Sequence, residues 1–552
     1  MKKIVALVLA LVLCVGVLAA CQETPAETTK PAETTKPAET TKPAETTAPV
    51  ETAPLKNTDI YPLSSDHKFV LATTNQNAEK ADNWNLMAQT IGVDYEWQIM
   101  ASEQVPLLFV GDTKDMPDMF IQIAGVNKQQ VAEYGKAGLL VNYADYIDLM
   151  PNLKALMEVH PRLLDTVVQE DGSFYMLPGY SYTLTAASNL FYVRLDIARE
   201  AGWDTLPTTV EEFLTFCEDL KTANAGKDGF IPMLANNKSS MSYSGPYASF
   251  FFPAFGELMQ PGIGTNADFT EITVGFATEQ FKRYISFMNE LYEKGYLDPE
   301  CFVRESGETK AQTNEGLTAM HPHATQLTKD MFASGELDFQ ILPVLTSQYN
   351  DTARWAIPNR YAERYFMISS SCPDIETAVQ FMDAYYATPE NPLNEEATVW
   401  GISQWLGEYG VDITVNEEEG WYVINDHEGF DSGSAWLNVA GTGSAVLTDW
   451  GYYENGGTGL MKKAIGTRDI LYPEGVEVFY TNVLQLTEDE QDIYNDCWTD
   501  IGNYIAEMNA AFLTGQKDVE AEWDTYIKTL YDMGLQDVID VYQAALDRYN
   551  AQ

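Results

Sequence analysis

Basic residues are scarce in this chain. Its 552 residues carry 33 lysines and arginines against 81 aspartates and glutamates, a net charge of −48, with five histidines. A surface of that sign repels phosphate backbones and anionic headgroups, which excludes nonspecific binding of nucleic acid or acidic lipid. Cysteine is sparse too: six residues, none in a C-x-x-C pair. Beyond residue 20 no stretch approaches 18 apolar residues, so no second membrane span is expected. There is no G-x-S-x-G elbow and no H-E-x-x-H zinc site. His321-Pro322-His323 is the only close histidine pair, and without cysteine or ordered acidic partners it is a weak metal signal.

What is present begins at the amino end. Lys2 and Lys3 precede a 17-residue apolar run, Ile4 to Ala20, that closes on Leu18-Ala19-Ala20-Cys21. A basic start, a short apolar core and small residues before a cut site describe a secretory signal peptide over residues 1–20. Cysteine directly after Leu-Ala-Ala resembles the bacterial lipobox, so Cys21 is expected to carry a diacylglyceryl anchor on the extracytoplasmic face of the membrane. Two acyl chains give stable attachment where one does not. The alternatives are an ordinary signal peptide with an incidental Cys21, or a spanning anchor at the short edge of the required length. Without Lys2 and Lys3 the mature chain has 31 basic and 81 acidic residues, a net −50. Residues 21–58 follow as a spacer, with a low-complexity Thr, Pro, Glu, Ala and Lys tract at 24–54 that has too little apolar surface to offset the entropy of ordering. Its regular prolines favour extended polyproline II, with a reach of about 100 Å.

The whole chain is 45% hydrophobic and 12% aromatic, enough for a large core and for ligand contacts in the residues beyond the spacer. Lys68 to Thr74 is a short apolar run; Val93, Tyr95, Trp97 and Ile99 alternate with polar residues; Asp82 to Ile91 between them fits a helix. Met119 to Ile123 is a third strand candidate. Strand–helix–strand units of this length predict an α/β fold with a parallel sheet. Thr208 to Glu211 offers a helix-capping box, followed by the apolar face Val210, Phe213, Leu214, Cys217 and Leu220. Phe281, Tyr284, Ile285, Met288, Leu291 and Tyr292 repeat that spacing, as do Val538, Val541, Tyr542, Ala545, Leu546 and Tyr549 near the end. Cys217, Cys301, Cys372 and Cys497 admit two disulfides in three pairings, but a head this large needs no staples and free buried thiols are expected.

Several segments then match a known family in order. Asp171-Gly172-Ser173-Phe174-Tyr175-Met176-Leu177-Pro178, Leu190 to Asp196 with Glu200-Ala201-Gly202-Trp203, Leu206 to Phe213, and Arg364 to Cys372 followed by Ile375 to Tyr385 resemble the extracellular solute-binding proteins of bacterial carbohydrate ABC importers. Phe512 to Gly515, Trp523 to Tyr526, Met533 to Leu535 and Tyr542 to Ala545 are similar to its large oligosaccharide-binding branch, the LplA type. The resemblance implies a periplasmic-binding-protein-like fold of type II, with two α/β lobes, a hinge and an interdomain cleft. Residues 59–184 and 365–400 would form lobe 1; residues 185–364 and 401–552 would form lobe 2. It further implies a monomer that captures an oligosaccharide and delivers it to ABC permease subunits, with no enzymatic activity and no cofactor. Some members carry a calcium loop before an Ile-Pro. Here Lys221 to Pro232 lacks the alternating carboxylates, so no calcium is expected.

A sugar cleft needs aromatic platforms and planar polar side chains, placed on loops at the carboxyl ends of strands. The candidates are Asn75, Asn77, Trp84 and Asn85 after the first strand, Tyr180 and Tyr182 past the hinge motif, and Tyr243 in a Ser-rich loop. Trp355 and Arg360 precede the returning strand, and Trp400, Trp436 and Trp450 fall in Gly-rich loops. Core packing is the plain alternative for each aromatic; Trp84, Tyr180 and Trp436 rank highest because their neighbours are polar or glycine, while Trp97 reads as core. Asp112, Asp115 and Asp118 read as solvated loop charges, with the cleft mouth as the alternative. Rival functions are an exported glycoside hydrolase, which needs two carboxylates flanking the scissile bond, a sugar-binding adhesin, and a receptor for peptide or another small solute.

Overall fold

The computed structural model describes residues 56–80, 83–110, 116–180, 191–235, 238–322, 339–357, 361–387, 391–393, 413–416, 421–424, 474–477 and 481–551. Cys21, the signal and most of the spacer, Asp112, Asp115, Tyr182, His323, Arg360, Trp400, Trp436 and Trp450 lie outside the described residues, as does the side chain of Tyr180.

The first sheet has the apolar run Lys68–Thr73 near its centre, pairing in parallel with Asp94–Ile99 on one side and Met119–Phe120 on the other. Met367–Ile368 adds an antiparallel edge against Met119–Phe120. The helix Asn83–Ile91 crosses between the first two strands. Trp84, Met87, Ala88 and Ile91 share one helical face and are buried. These residues, with Phe69, Leu71, Met119, Phe120, Phe174, Leu177, Phe366, Met382 and Tyr386, belong to one core cluster drawn from residues 61–177 and 366–393.

A second sheet runs in the order Phe339–Ile341, Phe191–Arg194, Thr318–Pro322, Ile231–Met233 and is mixed: its last pair is parallel, the others antiparallel. Its core draws on residues 191–345 and 501–538 and includes Phe191, Phe213, Phe251, Ile285, Met320, Ile505 and Phe512. The helix Val210–Ala223 begins one residue later than the capping box placed it. Thr209 caps it by accepting from Glu212 N at 3.1 Å, while Thr208 N and Oγ1 donate to Glu212 Oε2 at 2.9 and 3.0 Å. The helix Glu279–Glu293 is capped by Thr278 and buries Phe281, Tyr284, Ile285, Met288 and Leu291. Three helices close the chain, Glu488–Leu513, Val519–Asp532 and Leu535–Asn550. All four downstream cysteines are free thiols, Cys217, Cys301 and Cys372 buried and Cys497 partly so. Among the described residues no helix is long and apolar enough to cross a membrane.

Candidate functional site

Two strands tie one sheet's residues to the other's. Leu177–Tyr180 leaves the first core, and Tyr361–Arg364 returns to it; they pair antiparallel with Tyr361 opposite Tyr180 and Arg364 opposite Leu177. Tyr386 OH donates to Pro178 O at 2.7 Å and anchors the ribbon to the first core. A Cβ on Gly179 would sit 2.7 Å from Arg364 Nε, so the arginine arm lies close against the bare backbone there. This ribbon is the structural element about which two cores can bend.

At the carboxyl ends of the first sheet the loops are fastened to each other. Thr74 Oγ1 donates to Gln122 O (3.2 Å) and accepts from Ala124 N (3.0 Å). Gln76 Nε2 reaches Met100 O at 2.9 Å. Asn75 Oδ1 accepts from Asn77 N (3.1 Å), forming an Asx turn, and Asn77 Oδ1 accepts from Lys80 Nζ (2.8 Å). The structure therefore brings Asn75 and Asn77 to a braced loop beside Gln122. Gln122 stands out on two counts. Its φ is +53°, a left-handed conformation rare for a side-chain-bearing residue, and its Nε2 is buried with no hydrogen-bond partner among the described residues. Sequence reading passed over it because an alternating strand end, Met119 to Ile123, shows no sign of backbone strain.

Trp84 is not where the polar neighbours placed it. It is 3% exposed and packs edge-to-face on Trp97 at 4.7 Å. The helical spacing to Met87, Ala88 and Ile91 outweighs the flanking asparagines, so Trp84 packs into the first core. Asn85 faces outward and accepts from Tyr95 OH at 3.2 Å. Asp118 is neither a solvated loop charge nor at the cleft mouth. It is 7% exposed at the amino end of its strand, accepting from Val70 N (2.8 Å) and pairing with His67 Nε2 (2.9 Å).

On the second core, Tyr243 lies in the loop beyond strand Ile231–Met233, half-buried, with its hydroxyl pKa raised by burial. Its ring meets Phe276 edge-on at 5.5 Å. From Phe276 the row continues to Trp498 at 6.4 Å, to Tyr494 stacked on Trp498 at 5.5 Å, and to Tyr542 at 5.6 Å. Tyr494 and Trp498 were missed in the sequence, although an i,i+4 aromatic pair in a strongly acidic helix was a signal. Trp355, half-buried, stands in strand Arg354–Ile357, opposite Gly475, and packs on the second core. In the stretch 221–232, where some relatives of the resembled family carry a calcium loop, Asn224 is buried and its amide donates to Leu220 O at 2.9 Å, turned toward the helix end. Among the described residues no group of three His, Cys, Asp or Glu side chains is placed to hold a metal ion.

The chain is similar over most of its length to proteins of known role. The fructooligosaccharide ABC transporter substrate-binding protein FusA of Streptococcus pneumoniae is 24% identical over 468 residues, 79% of this chain and 81% of that one. The crystal structure of FusA in complex with kestose superposes with a TM-score of 0.66 at 19% identity, covering 88% of this chain and all of that one. An HMO-binding, ABC-transporter-associated solute-binding protein from Bifidobacterium longum infantis gives 0.65 at 16% identity, over 88% and 99%. The fold is therefore periplasmic-binding-protein-like, two α/β lobes on a hinge, and the two cores and their ribbon are its parts. The pattern of one family, described as bacterial extracellular solute-binding protein, matches residues 110–402, more than half of the sequence and the span that holds both crossover strands, and to that family the chain belongs.

Proposed function

We propose that this protein is the lipid-anchored receptor of an ABC importer, capturing an oligosaccharide between its lobes and presenting it to the permease. The observation that carries the reading is family membership joined to two separate cores bridged by the ribbon of Leu177–Tyr180 and Tyr361–Arg364. Relatives named for fructooligosaccharide and HMO binding support the ligand class. The proposed lobes are 59–184 with 365–400, and 185–364 with 401–552. On lobe 1 the proposed contacts are Asn75, Asn77, Asn85 and Gln122, whose unpaired amide offers a donor for a sugar hydroxyl. On lobe 2 they are Tyr243, Trp355 and the Tyr494–Trp498 pair; further candidates are Tyr180, Tyr182 and Trp400 on lobe 1 and Arg360, Trp436 and Trp450 on lobe 2. No residue is assigned a catalytic role, and the protein acts as a monomer that binds without turnover.

Calorimetric titration and thermal shift against a panel of oligosaccharides test this, because a ligand bound only by the folded state raises the melting temperature. Binding of at least one glycan, recovered intact, is expected. Silence toward every glycan with a clear shift from peptides would overturn the sugar assignment, and hydrolysis of the glycan would overturn the receptor. For the anchor, Cys21→Ala protein is expected in the medium; its retention on membranes would refute lipidation.

A further inference from the structure

The lobes touch beside the ribbon as well as through it. The last turn of helix Leu535–Asn550 and the turn 481–485, both packed with the second lobe, reach the loop 162–170 of the first. Tyr549 OH donates to Asp165 Oδ2 at 2.6 Å, Gln485 Nε2 to Asp165 O at 3.4 Å, and Arg548 Nε lies 3.6 Å from Glu170 Oε1. Lys128 Nζ, at the start of first-lobe helix Lys128–Lys136, donates to Asn482 O at 3.1 Å. Each side is braced from behind. Glu490 holds Arg548 with two bonds of 2.7 and 2.6 Å, and Arg548 Nη2 also caps Gln485 O at 2.8 Å. On the first lobe Arg162 Nε donates to Asp165 Oδ2 at 3.2 Å, and its guanidinium lies 6.0 Å from the rings of both Tyr549 and the hinge residue Tyr361.

Such bonds depend steeply on distance, so a rotation of one lobe about the ribbon cannot leave them intact. We propose that this seam is a latch that sets the balance between lobe arrangements, with Asp165 and Tyr549 as positioning residues for solute capture that need not touch the solute. The inference rests on the two-lobe receptor reading. Charge supports it: burial lowers the Lys128 pKa to about 8, against the opposing pull of Glu363 on the hinge strand and Asp165 in the seam. Above that pH the ammonium attraction to both carboxylates is lost and the latch slackens.

Small-angle scattering of the ligand-free protein reads the lobe arrangement directly, and solute affinity reads its consequence. Tyr549→Phe and Asp165→Asn are each expected to alter the radius of gyration and to move the apparent Kd roughly 2–10-fold, as loss of one such hydrogen bond would. Adding Asp165→Asn to Tyr549→Phe should change less than the sum of the two single effects, since both act on the Tyr549–Asp165 bond. The wild-type radius should also change between pH 7 and 9, and that change should vanish in Lys128→Met. Unaltered scattering in both variants, or altered scattering with unchanged affinity, would overturn the latch. If no solute bound the wild type, the receptor reading would fall while scattering still decided whether the seam holds the lobes.

Discussion

Arg304→Met should unfold the second lobe early. Arg304 and Asp298 form an ion pair with side chains 2% and 0% exposed. Arg304 Nε and Nη2 both donate to the Asp298 carboxylate, the latter at 2.8 Å, and Nη2 also reaches Glu300 Oε2 at 3.3 Å. Methionine fills much of the same volume but leaves Asp298 with one remaining donor, Glu300 N at 3.0 Å. An uncompensated buried carboxylate costs about 3–5 kcal/mol. At about 2–4 °C per kcal/mol for a domain of this size, the lobe's transition should fall by on the order of 10 °C. Differential scanning calorimetry measures it directly. The companion Asp298→Leu/Arg304→Met, which removes both charges, should recover most of the loss because the desolvation cost disappears with them. The site should respond as well, since Arg304 O accepts from Lys238 N at 3.1 Å and Thr309 Oγ1 holds Ala235 O at 2.7 Å, fixing the backbone that leads to Tyr243. A single substitution costing less than about 1 kcal/mol, or a double variant no better than the single, would refute the reasoning.

Three further outcomes are expected. Asp383, fully enclosed, accepts from Asn152 N, Asn152 Nδ2 and Leu153 N at 3.1, 2.8 and 2.9 Å, yet burial pushes its pKa up to about 7. A folded-state pKa above the unfolded value means its contribution is complete below about pH 4 and is lost as pH rises through 7; urea melts across that window should show the slope, and Asp383→Asn should flatten it. Gly135→Ala would set a Cβ 2.3 Å from the buried Tyr175 ring, costing about 1–3 kcal/mol in the same melts. Gln122→Gly should relieve about 1 kcal/mol of backbone strain while weakening solute binding at least several-fold by titration; a variant that binds as wild type would remove Gln122 from the site.

The helices were legible because their apolar positions and caps agree locally. Phe281, Tyr284, Ile285, Met288 and Leu291 mark one face whatever surrounds it, and Thr278 caps it. Strand Lys68–Thr73 was equally plain. Trp84 shows where local reading fails: two asparagines beside it argued for openness, but a helix buries by period rather than by neighbour, and positions 84, 87, 88 and 91 were the better guide. Asp118 failed for a related reason, since only the fold brings His67 and Val70 N to that carboxylate. Gln122 and the seam of Asp165 with Tyr549 depend on residues far apart in the chain or on a backbone angle, and neither leaves a pattern in sequence.

The chain enters its first core at Asn57, which is fully buried. Asn57 Nδ2 donates to Asn152 Oδ1 at 2.9 Å, its N–H donates to Asn391 Oδ1 at 2.9 Å, and Asn152 in turn holds Asp383. Any pull arriving from residues before 56 therefore enters the first lobe at this knot and reaches the second only through the ribbon and the seam. If the spacer is a leash, thermal tugging loads one jaw directly and the other only through those contacts. Tension on such a leash then acts on the hinge from the first-lobe side alone.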